Sequence, residues 1–197
     1  MRRCASANGS AVAWVFKMQQ LLFIGGPSGS GKSTLASSLA ETLGFLFLEV
    51  DLWCRDGVDF HKLRTEWNEF WEDLNAGPLA VVLLQRAKAA GMSGVVASLP
   101  SNALLTVPRI KSASAVGIGT IITYGPESAC IGAFLLREKQ IGRHLDEKHW
   151  RDFNAQSHGI YAGPDYSSVR VEMFDHNNSW RPKRDIVAEV QKRLHAV

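Results

Sequence analysis

The chain has 197 residues, of which 46% are hydrophobic and 21% charged, with a formal net charge of +3. Its length and composition suit one globular domain with a sizeable core. The mild charge, without a dense basic block, argues against nucleic acid as a partner. No apolar stretch is long enough to cross a bilayer, which argues against a membrane partner. Three widely spaced cysteines indicate no disulfide framework and predict a cytoplasmic protein.

The first 17 residues differ from the rest of the chain. Small polar residues interrupt their apolar part, which argues against a signal peptide. We therefore expect a loose N-terminal extension over residues 1–17 and one folded domain over residues 18–197.

A glycine-rich stretch between an apolar run and a helical pattern is the most informative part of the sequence. Residues 21–24 are apolar, residues 26–33 match the pattern G-x-x-x-x-G-K-S, and apolar positions from residue 35 to residue 43 share one helical face. Strand, glycine-rich turn and helix form the context in which this motif binds phosphates. Backbone N–H groups and the positive end of the helix surround the phosphates there.

The motif therefore predicts a site for ATP and Mg²⁺. Lys32 would reach the outer phosphates, and the Ser33 hydroxyl would hold Mg²⁺. The residues expected to bind the nucleotide are Gly26, Pro27, Ser28, Gly29, Ser30, Gly31, Lys32, Ser33 and Thr34. The motif does not name the reaction.

Two acids follow in the next apolar run, residues 45–51, which we predict to be the second strand. Glu49 and Asp51 are two residues apart and share one side of an extended chain. Ligands of open α/β sheets sit at such strand ends. An acid there orients Mg²⁺ or accepts a proton from a substrate hydroxyl. We take Glu49 as a candidate metal ligand and Asp51 as a candidate catalytic and acceptor-binding residue.

Residues 52–77 are rich in aromatic side chains. Trp67, Phe70 and Trp71 fit one helical face, which predicts mostly core packing, while an apolar wall of an acceptor pocket is the functional alternative. Arg55 and Arg64 are the candidates for holding an anionic acceptor.

Strand and helix patterns alternate along the remainder of the chain. We predict strands at 94–99, 119–124 and 169–175, helices at 79–90 and 128–150, a last helix from residue 182, and a loop over 151–168. Pro108 is expected to interrupt any helix between residues 102 and 115. This alternation predicts a three-layer α/β fold, a parallel sheet covered by helices on both faces.

Arg137 and Arg143 lie on the polar part of the fourth predicted helix. Two arginines six residues apart lie near one face and can clamp phosphate oxygens. A solvated helix face with ordinary charge pairs is the alternative.

From residue 21 to residue 194 the chain resembles the small P-loop kinases, the group of shikimate, gluconate and nucleoside-monophosphate kinases. The resemblance is strongest at GGPSGSGKST, residues 25–34. It implies the P-loop NTPase fold with a five-stranded parallel sheet ordered 2-3-1-4-5. It also implies ATP and Mg²⁺ as cofactors.

The resemblance assigns roles to several residues. The second strand of such kinases ends in paired acids, which stand here as Glu49 and Asp51, and chloramphenicol phosphotransferase-type kinases use such an aspartate as a base. The segment after that strand resembles the acceptor-binding region. Residues 137–143 resemble the start of a lid that places arginines over the phosphates, and residues near Arg181 would flank the adenine. Residues 97–99, Ala-Ser-Leu, replace a glycine triplet of shikimate kinases, which argues against shikimate as acceptor.

We therefore predict an ATP-dependent phosphotransferase that acts on a hydroxyl of a small acceptor, as a monomer or homodimer. A nucleoside-monophosphate kinase is an alternative that differs only in acceptor. A nucleotide-binding regulatory protein with little turnover is an alternative of another class.

Overall fold

The computed structural model describes residues 20–50 and 60–195, with the side chains of residues 60–64 and 195 left out of the description. The proposed N-terminal extension, Asp51 and Arg55 lie outside the described residues. Arg64 lies in a described helix, but its side chain is not described. All structural statements below concern the described part of the chain.

Five strands form one parallel sheet. They are β1 (Leu21–Gly25), β2 (Leu46–Glu49), β3 (Val95–Ser98), β4 (Ile118–Tyr124) and β5 (Arg170–Glu172). Their order is β2-β3-β1-β4-β5, which confirms the predicted order. In the register of the pairs, Gly25 lies opposite Ile122 and Glu49 opposite Ser98. The carboxyl end of β1, where the glycine-rich loop begins, is therefore flanked by the ends of β3 and β4.

Helices connect these strands across both faces of the sheet. They are α1 (Lys32–Leu43), α2 (Phe60–Asp73), α3 (Gly77–Ala89), α4 (Val107–Ala115), α5 (Glu127–Gln140), α6 (Glu147–Ala162) and α7 (Lys183–His195), with a 3-10 turn at Pro164–Tyr166. None of these helices is long and apolar enough to cross a membrane.

Alternate residues of β1 enter two separate cores. Phe23 packs with Trp67 and Phe70 of α2 in the core under α2, α3 and α4, and Leu22 packs with Leu39 of α1 in the core under α1 and α7. The three layers of the predicted fold are confirmed. The aromatic face of α2 is core at Trp67 and Phe70, which are 8% and 0% exposed.

Three predictions about the connections were wrong. Residues 151–168, predicted to be a loop, continue α6 as far as Ala162, and the helix predicted over 128–150 is divided between α5 and α6. Pro108 does not interrupt a helix, because it occupies the first turn of α4, where a missing backbone N–H costs no hydrogen bond.

The glycine-rich loop packs directly against α5. Gly29 has a φ of 72°, and a Cβ atom there would overlap the carbonyl oxygen of Cys130 in α5. Only glycine combines this backbone conformation with so close an approach. The loop and the first half of α5 therefore share one packed contact.

We predict that Gly29→Ala lowers the free energy of unfolding by at least about 1–2 kcal/mol, because alanine is strained in the left-handed region and its methyl group displaces α5. Gly132→Ala is the matched control within α5. Among the described residues, no atom other than those of its chain neighbours and of the backbone of α5 lies within 4 Å of a Cβ at Gly132. Replacing an exposed helical glycine by alanine stabilises a helix by up to about 1 kcal/mol. In urea unfolding, the free energy of unfolding should fall in Gly29→Ala and rise in Gly132→Ala. Equal changes in the two variants would contradict the contact between the loop and α5.

Candidate active site

Hydroxyl groups hold the glycine-rich loop against the end of β4. The hydroxyl oxygens of Ser30 and Thr123 lie 2.7 Å apart. The Ser30 hydroxyl also lies 2.8 Å from the carbonyl oxygen of Pro27, and the Thr123 hydroxyl 3.1 Å from that of Gly25. Because each hydroxyl has one proton, at most two of these three contacts are hydrogen bonds at one time. Ser30 and Thr123 are fully buried. These buried contacts fix the loop from both ends.

The ammonium group of Lys32 lies inside the loop. It donates to the carbonyl oxygens of Gly26 at 3.0 Å and Pro27 at 2.9 Å, and to the hydroxyl of Ser101 at 2.9 Å. Its side chain is buried. A buried cation held by carbonyl dipoles favours an anion beside it, since each carbonyl oxygen carries only a partial negative charge.

Hard oxygen ligands lie next to Lys32. The hydroxyl of Ser33 is 3.3 Å from that of Ser98, which ends β3. Glu49, opposite Ser98 in the β2–β3 register, lines the same cavity as Ser33. Hydroxyl and carboxylate oxygens suit Mg²⁺, which takes one or two protein ligands and completes its shell with phosphate and water. No group of three or more metal-binding His, Cys, Asp or Glu side chains occurs among residues 20–50 and 60–195.

A buried carboxylate holds the two candidate arginines. Glu138 is 3% exposed and accepts from Arg137 Nε at 3.0 Å and Nη2 at 2.6 Å. Its other oxygen accepts from Arg143 Nη1 at 3.0 Å. Burial acts to raise the pKa of Glu138, but the hydrogen bonds and charges of the two arginines outweigh it and hold the pKa below its usual value.

One cavity of about 430 Å³ brings these groups together above the loop. Its polar lining contains seven of the predicted site residues, Ser28, Lys32, Ser33, Thr34, Glu49, Arg137 and Arg143, and four others, Ser101, Asn102, Glu138 and His149. Two cations, Arg137 and Arg143, thus face the same space as the loop, although their side chains remain 58% and 44% exposed. They do not lie on the far side of the sheet.

The residues expected near the adenine lie outside this cavity lining. Arg181 donates from Nη1 to the carbonyl oxygen of Glu172 at 2.6 Å and pairs with Glu189 at 2.8 Å. Its neighbour Trp180 stacks on Phe174 with ring centroids 4.2 Å apart. A Cβ on Gly31 would lie 2.9 Å from the Trp180 ring. The ring therefore borders the glycine-rich loop.

Sequence reasoning missed three residues that complete the site. Ser98 ends β3, and Ser101 follows three residues later. Ligands of open α/β sheets bind at such strand ends, so hydroxyl residues there are as much a signal as acids. In the sequence, Glu138 lies between Arg137 and Arg143, but only its burial in the structure shows that it anchors them.

Comparison with known proteins shows kinases among the relatives. No protein-family model matches the chain. A shikimate kinase of Chlorobium luteolum is 30% identical over 125 residues, which are 64% of this chain and 59% of that protein. A cytidylate kinase of Chlamydia trachomatis is 42% identical over 59 residues, 29% of this chain and 27% of that protein. The matched segments thus span less than two thirds of either relative.

A solved structure with the same fold is a gluconokinase from Sinorhizobium meliloti 1021. Its TM-score is 0.53 at 19% identity, over 91% of this chain and 93% of that one. The similarity to small P-loop kinases that the loop motif predicts is confirmed by these relatives, and the shared architecture by this neighbour.

We predict that Glu138→Gln lowers the free energy of unfolding at pH 7 by about 1–3 kcal/mol, because it removes hydrogen bonds to a charged group. The folded-state pKa of Glu138 is depressed, so its stabilisation is present above the unfolded pKa of about 4.3 and is lost as the pH falls through the folded pKa. The difference between wild type and variant therefore shrinks on acidification.

Glu147→Gln is the matched control, since Glu147 pairs with Arg151 on the exposed surface of α6. An exposed pair contributes about 0.3–0.5 kcal/mol. Urea unfolding at pH 7 and pH 3 compares the three proteins. Equal losses in both variants, or a pH-independent loss in Glu138→Gln, contradict the anchoring role.

Proposed function

We propose that this relative of the small P-loop kinases is an ATP-dependent phosphotransferase that moves the γ-phosphoryl group to a hydroxyl of a small acceptor. One observation carries the proposal: Lys32, Ser33 and both arginines of the Glu138 pair line a single cavity above the glycine-rich loop. A site that only stored a nucleotide would need the loop but not further cations above it.

In this proposal the chain acts mainly by positioning and charge stabilisation, as phosphoryl transfer requires. The loop from Gly26 to Thr34 binds the phosphates through its N–H groups and the N-terminus of α1. Lys32 exchanges its carbonyl contacts for phosphate oxygens. Arg137 and Arg143 neutralise charge on the transferred group, with their guanidinium groups held from behind by Glu138.

Ser33 would hold Mg²⁺, and Glu49 is the candidate second ligand. Bound there, Mg²⁺ would neutralise charge on the phosphate oxygens. The Ser98 hydroxyl, 3.3 Å from that of Ser33, supports this assignment as a further oxygen. The donor set fits a metal that keeps water and phosphate ligands.

The acceptor is proposed to enter from the β2 and β3 side of the loop. Glu49 ends β2 and lines the cavity, so Asp51 follows two residues after a cavity residue. Asp51 is the proposed base for the acceptor hydroxyl, and Arg55 and Arg64 are the proposed partners of an anionic group on the acceptor. These three roles derive from sequence position and resemblance.

The base of the nucleotide is proposed to lie on the opposite side, near Trp180 and the Arg181-Pro182 pair. Trp180 is 50% exposed and borders Gly31, the residue before the helix that begins at Lys32. An exposed aromatic face beside a phosphate loop provides a stacking surface for a purine. Arg181 is held in place by Glu172 and Glu189.

A nucleoside-monophosphate kinase is the second candidate, favoured by the segment that is 42% identical to a cytidylate kinase. The two functions share the site and differ in the acceptor group, a phosphate rather than a hydroxyl. Measuring ADP release with CMP, UMP, gluconate and neutral alcohols separates them.

We further propose that the enzyme works in the cytoplasm as a monomer or homodimer. The described cysteine, Cys130, is a free buried thiol, and burial raises its pKa to about 12, so it stays protonated. Such a thiol is compatible with a reducing compartment.

We predict that Lys32→Ala keeps the fold and lowers kcat by about 100- to 1,000-fold, because one preorganised group that stabilises transition-state charge is worth that much. Lys139→Ala is the control, an exposed lysine of α5 that does not line the cavity. Near-wild-type turnover by Lys32→Ala would exclude this loop as the catalytic one.

Asp51→Asn tests the proposed base. The amide keeps the size of the side chain but cannot accept the proton, so kcat should fall by roughly 100- to 10,000-fold. Nucleotide affinity should change little, since the loop backbone carries it. If ATP binding, followed by calorimetry, weakens together with kcat, Asp51 serves the metal instead; if neither changes, the acceptor hydroxyl lies elsewhere.

A further inference from the structure

We infer that Ser101 is a further catalytic residue whose hydroxyl donates a hydrogen bond to the γ-phosphoryl group of ATP, an inference that rests on the proposed function. Ser101 is half-buried and lines the cavity above the glycine-rich loop. The proposed function gives roles to Lys32, Ser33 and the two arginines, and none to this hydroxyl.

The direction of one hydrogen bond leaves the proton of Ser101 available. Lys32 Nζ lies 2.9 Å from Ser101 Oγ. An ammonium group has three donors and no acceptor, so the oxygen of Ser101 accepts this hydrogen bond and its proton points elsewhere. In the described part of the chain, no residue accepts a hydrogen bond from that hydroxyl. A phosphate oxygen bound beside Lys32 would accept it.

A tight turn holds Ser101 in place. The backbone N–H of Ala103 donates to the carbonyl oxygen of Pro100 at 2.9 Å, which closes a β-turn with Ser101 at its second position. Two residues further on, the backbone N–H of Leu105 donates to the buried hydroxyl of Tyr161 at 2.9 Å. Both ends of the segment are thus fixed, which gives the preorganisation that a donor in catalysis requires.

The position of this turn in the sheet favours the outermost phosphate as the acceptor of the hydrogen bond. The turn follows β3, which lies between β1 and β2. β1 leads into the glycine-rich loop, and β2 ends at Glu49 on the proposed acceptor side. The γ-phosphoryl group is the part of ATP that meets the acceptor. Because it has three outer oxygens, one can contact Lys32 while another accepts from Ser101.

A neutral donor suits this place, and the reaction stays balanced. The acceptor hydroxyl oxygen forms a bond to the γ-phosphorus, and the bond from that phosphorus to the bridging oxygen of ADP breaks. The hydroxyl proton of the acceptor leaves for the proposed base, Asp51, and then for water. Ser101 keeps its own proton and stabilises negative charge on the transferred group without repelling Lys32 and the arginines.

Two substitutions of Ser101 test the role kinetically. ADP release is measured with whichever of CMP, UMP, gluconate and neutral alcohols reacts fastest. We expect Ser101→Ala to lower kcat roughly 10- to 100-fold and to raise KM for ATP by no more than about fivefold, since a hydrogen bond to a charged group strengthens in the transition state. Ser101→Thr keeps the hydroxyl and should retain kcat within about threefold of wild type.

Ser93→Ala is the matched control. Ser93 is an exposed serine before the opposite end of β3 and does not line the cavity, so its removal should leave kcat and KM unchanged. A kcat of Ser101→Ala within twofold of wild type overturns the inference. Equal losses in Ser101→Ala and Ser101→Thr also overturn it, because the hydroxyl would then have no part in the effect.

Nucleotide binding separates failure of this inference from failure of the proposed function. Calorimetric titration with ADP and with the β,γ-imido analogue of ATP needs no acceptor. We expect Ser101→Ala to weaken binding of the analogue at least about threefold and to leave ADP affinity within about 1.5-fold. If no acceptor stimulates ADP release, the kinase proposal fails, and this pair of titrations still decides the contact. Equal changes for both nucleotides, or none, overturn it.

Discussion

The shape of the glycine-rich loop is the constraint on which the site depends. Ser30 and Thr123 tie the loop to the end of β4 through hydroxyls 2.7 Å apart, and Gly29 lets α5 approach until no side chain would fit between them. The loop, β4 and α5 are thus one packed unit. Because interiors are densely packed, a shift in any of the three is transmitted to the others. Arg137, in the last turn of α5, and Arg143, three residues after its end, are thereby placed relative to the loop.

The site brings charges of both signs together around one cavity. Lys32, Arg137 and Arg143 line one cavity, and like charges gathered in this way repel one another unless an anion joins them. Glu138 supplies one compensating carboxylate, and carbonyl oxygens of Gly26 and Pro27 support Lys32. Glu49 supplies a second carboxylate to the same lining, and a triphosphate chain bound in the cavity would contact the three cations.

Local patterns in the sequence allowed the loop and the alternation of strands and helices to be predicted, whereas the strand order was implied by the resemblance to the small P-loop kinases. The loop motif implies its own strand and helix, and alternating apolar runs imply a parallel sheet. The extent of α6 could not be predicted in this way. Its buried face contains Asn154 and Ser157, which are 0% and 2% exposed, so hydrophobic periodicity fails over residues 151–162.

Contacts between side chains far apart in the sequence also could not be predicted. Ser98 meets Ser33, and Ser101 meets Lys32, only because β3 lies beside β1. From the sequence alone, Glu138 is indistinguishable from a surface charge of a polar helix, and its burial is seen only in the structure. Such contacts depend on which strands lie side by side. The order of strands and helices along the chain limits the possible topologies but does not show which side chains meet.

The most direct measurement follows the γ-phosphoryl group itself. With ATP labelled at its γ-phosphate and an excess of hydroxyl acceptor, the account predicts that label appears in an acid-stable phosphomonoester in an amount equal to the ADP formed. Label that stays in ATP, or that appears only as inorganic phosphate at a rate independent of the acceptor, would contradict it.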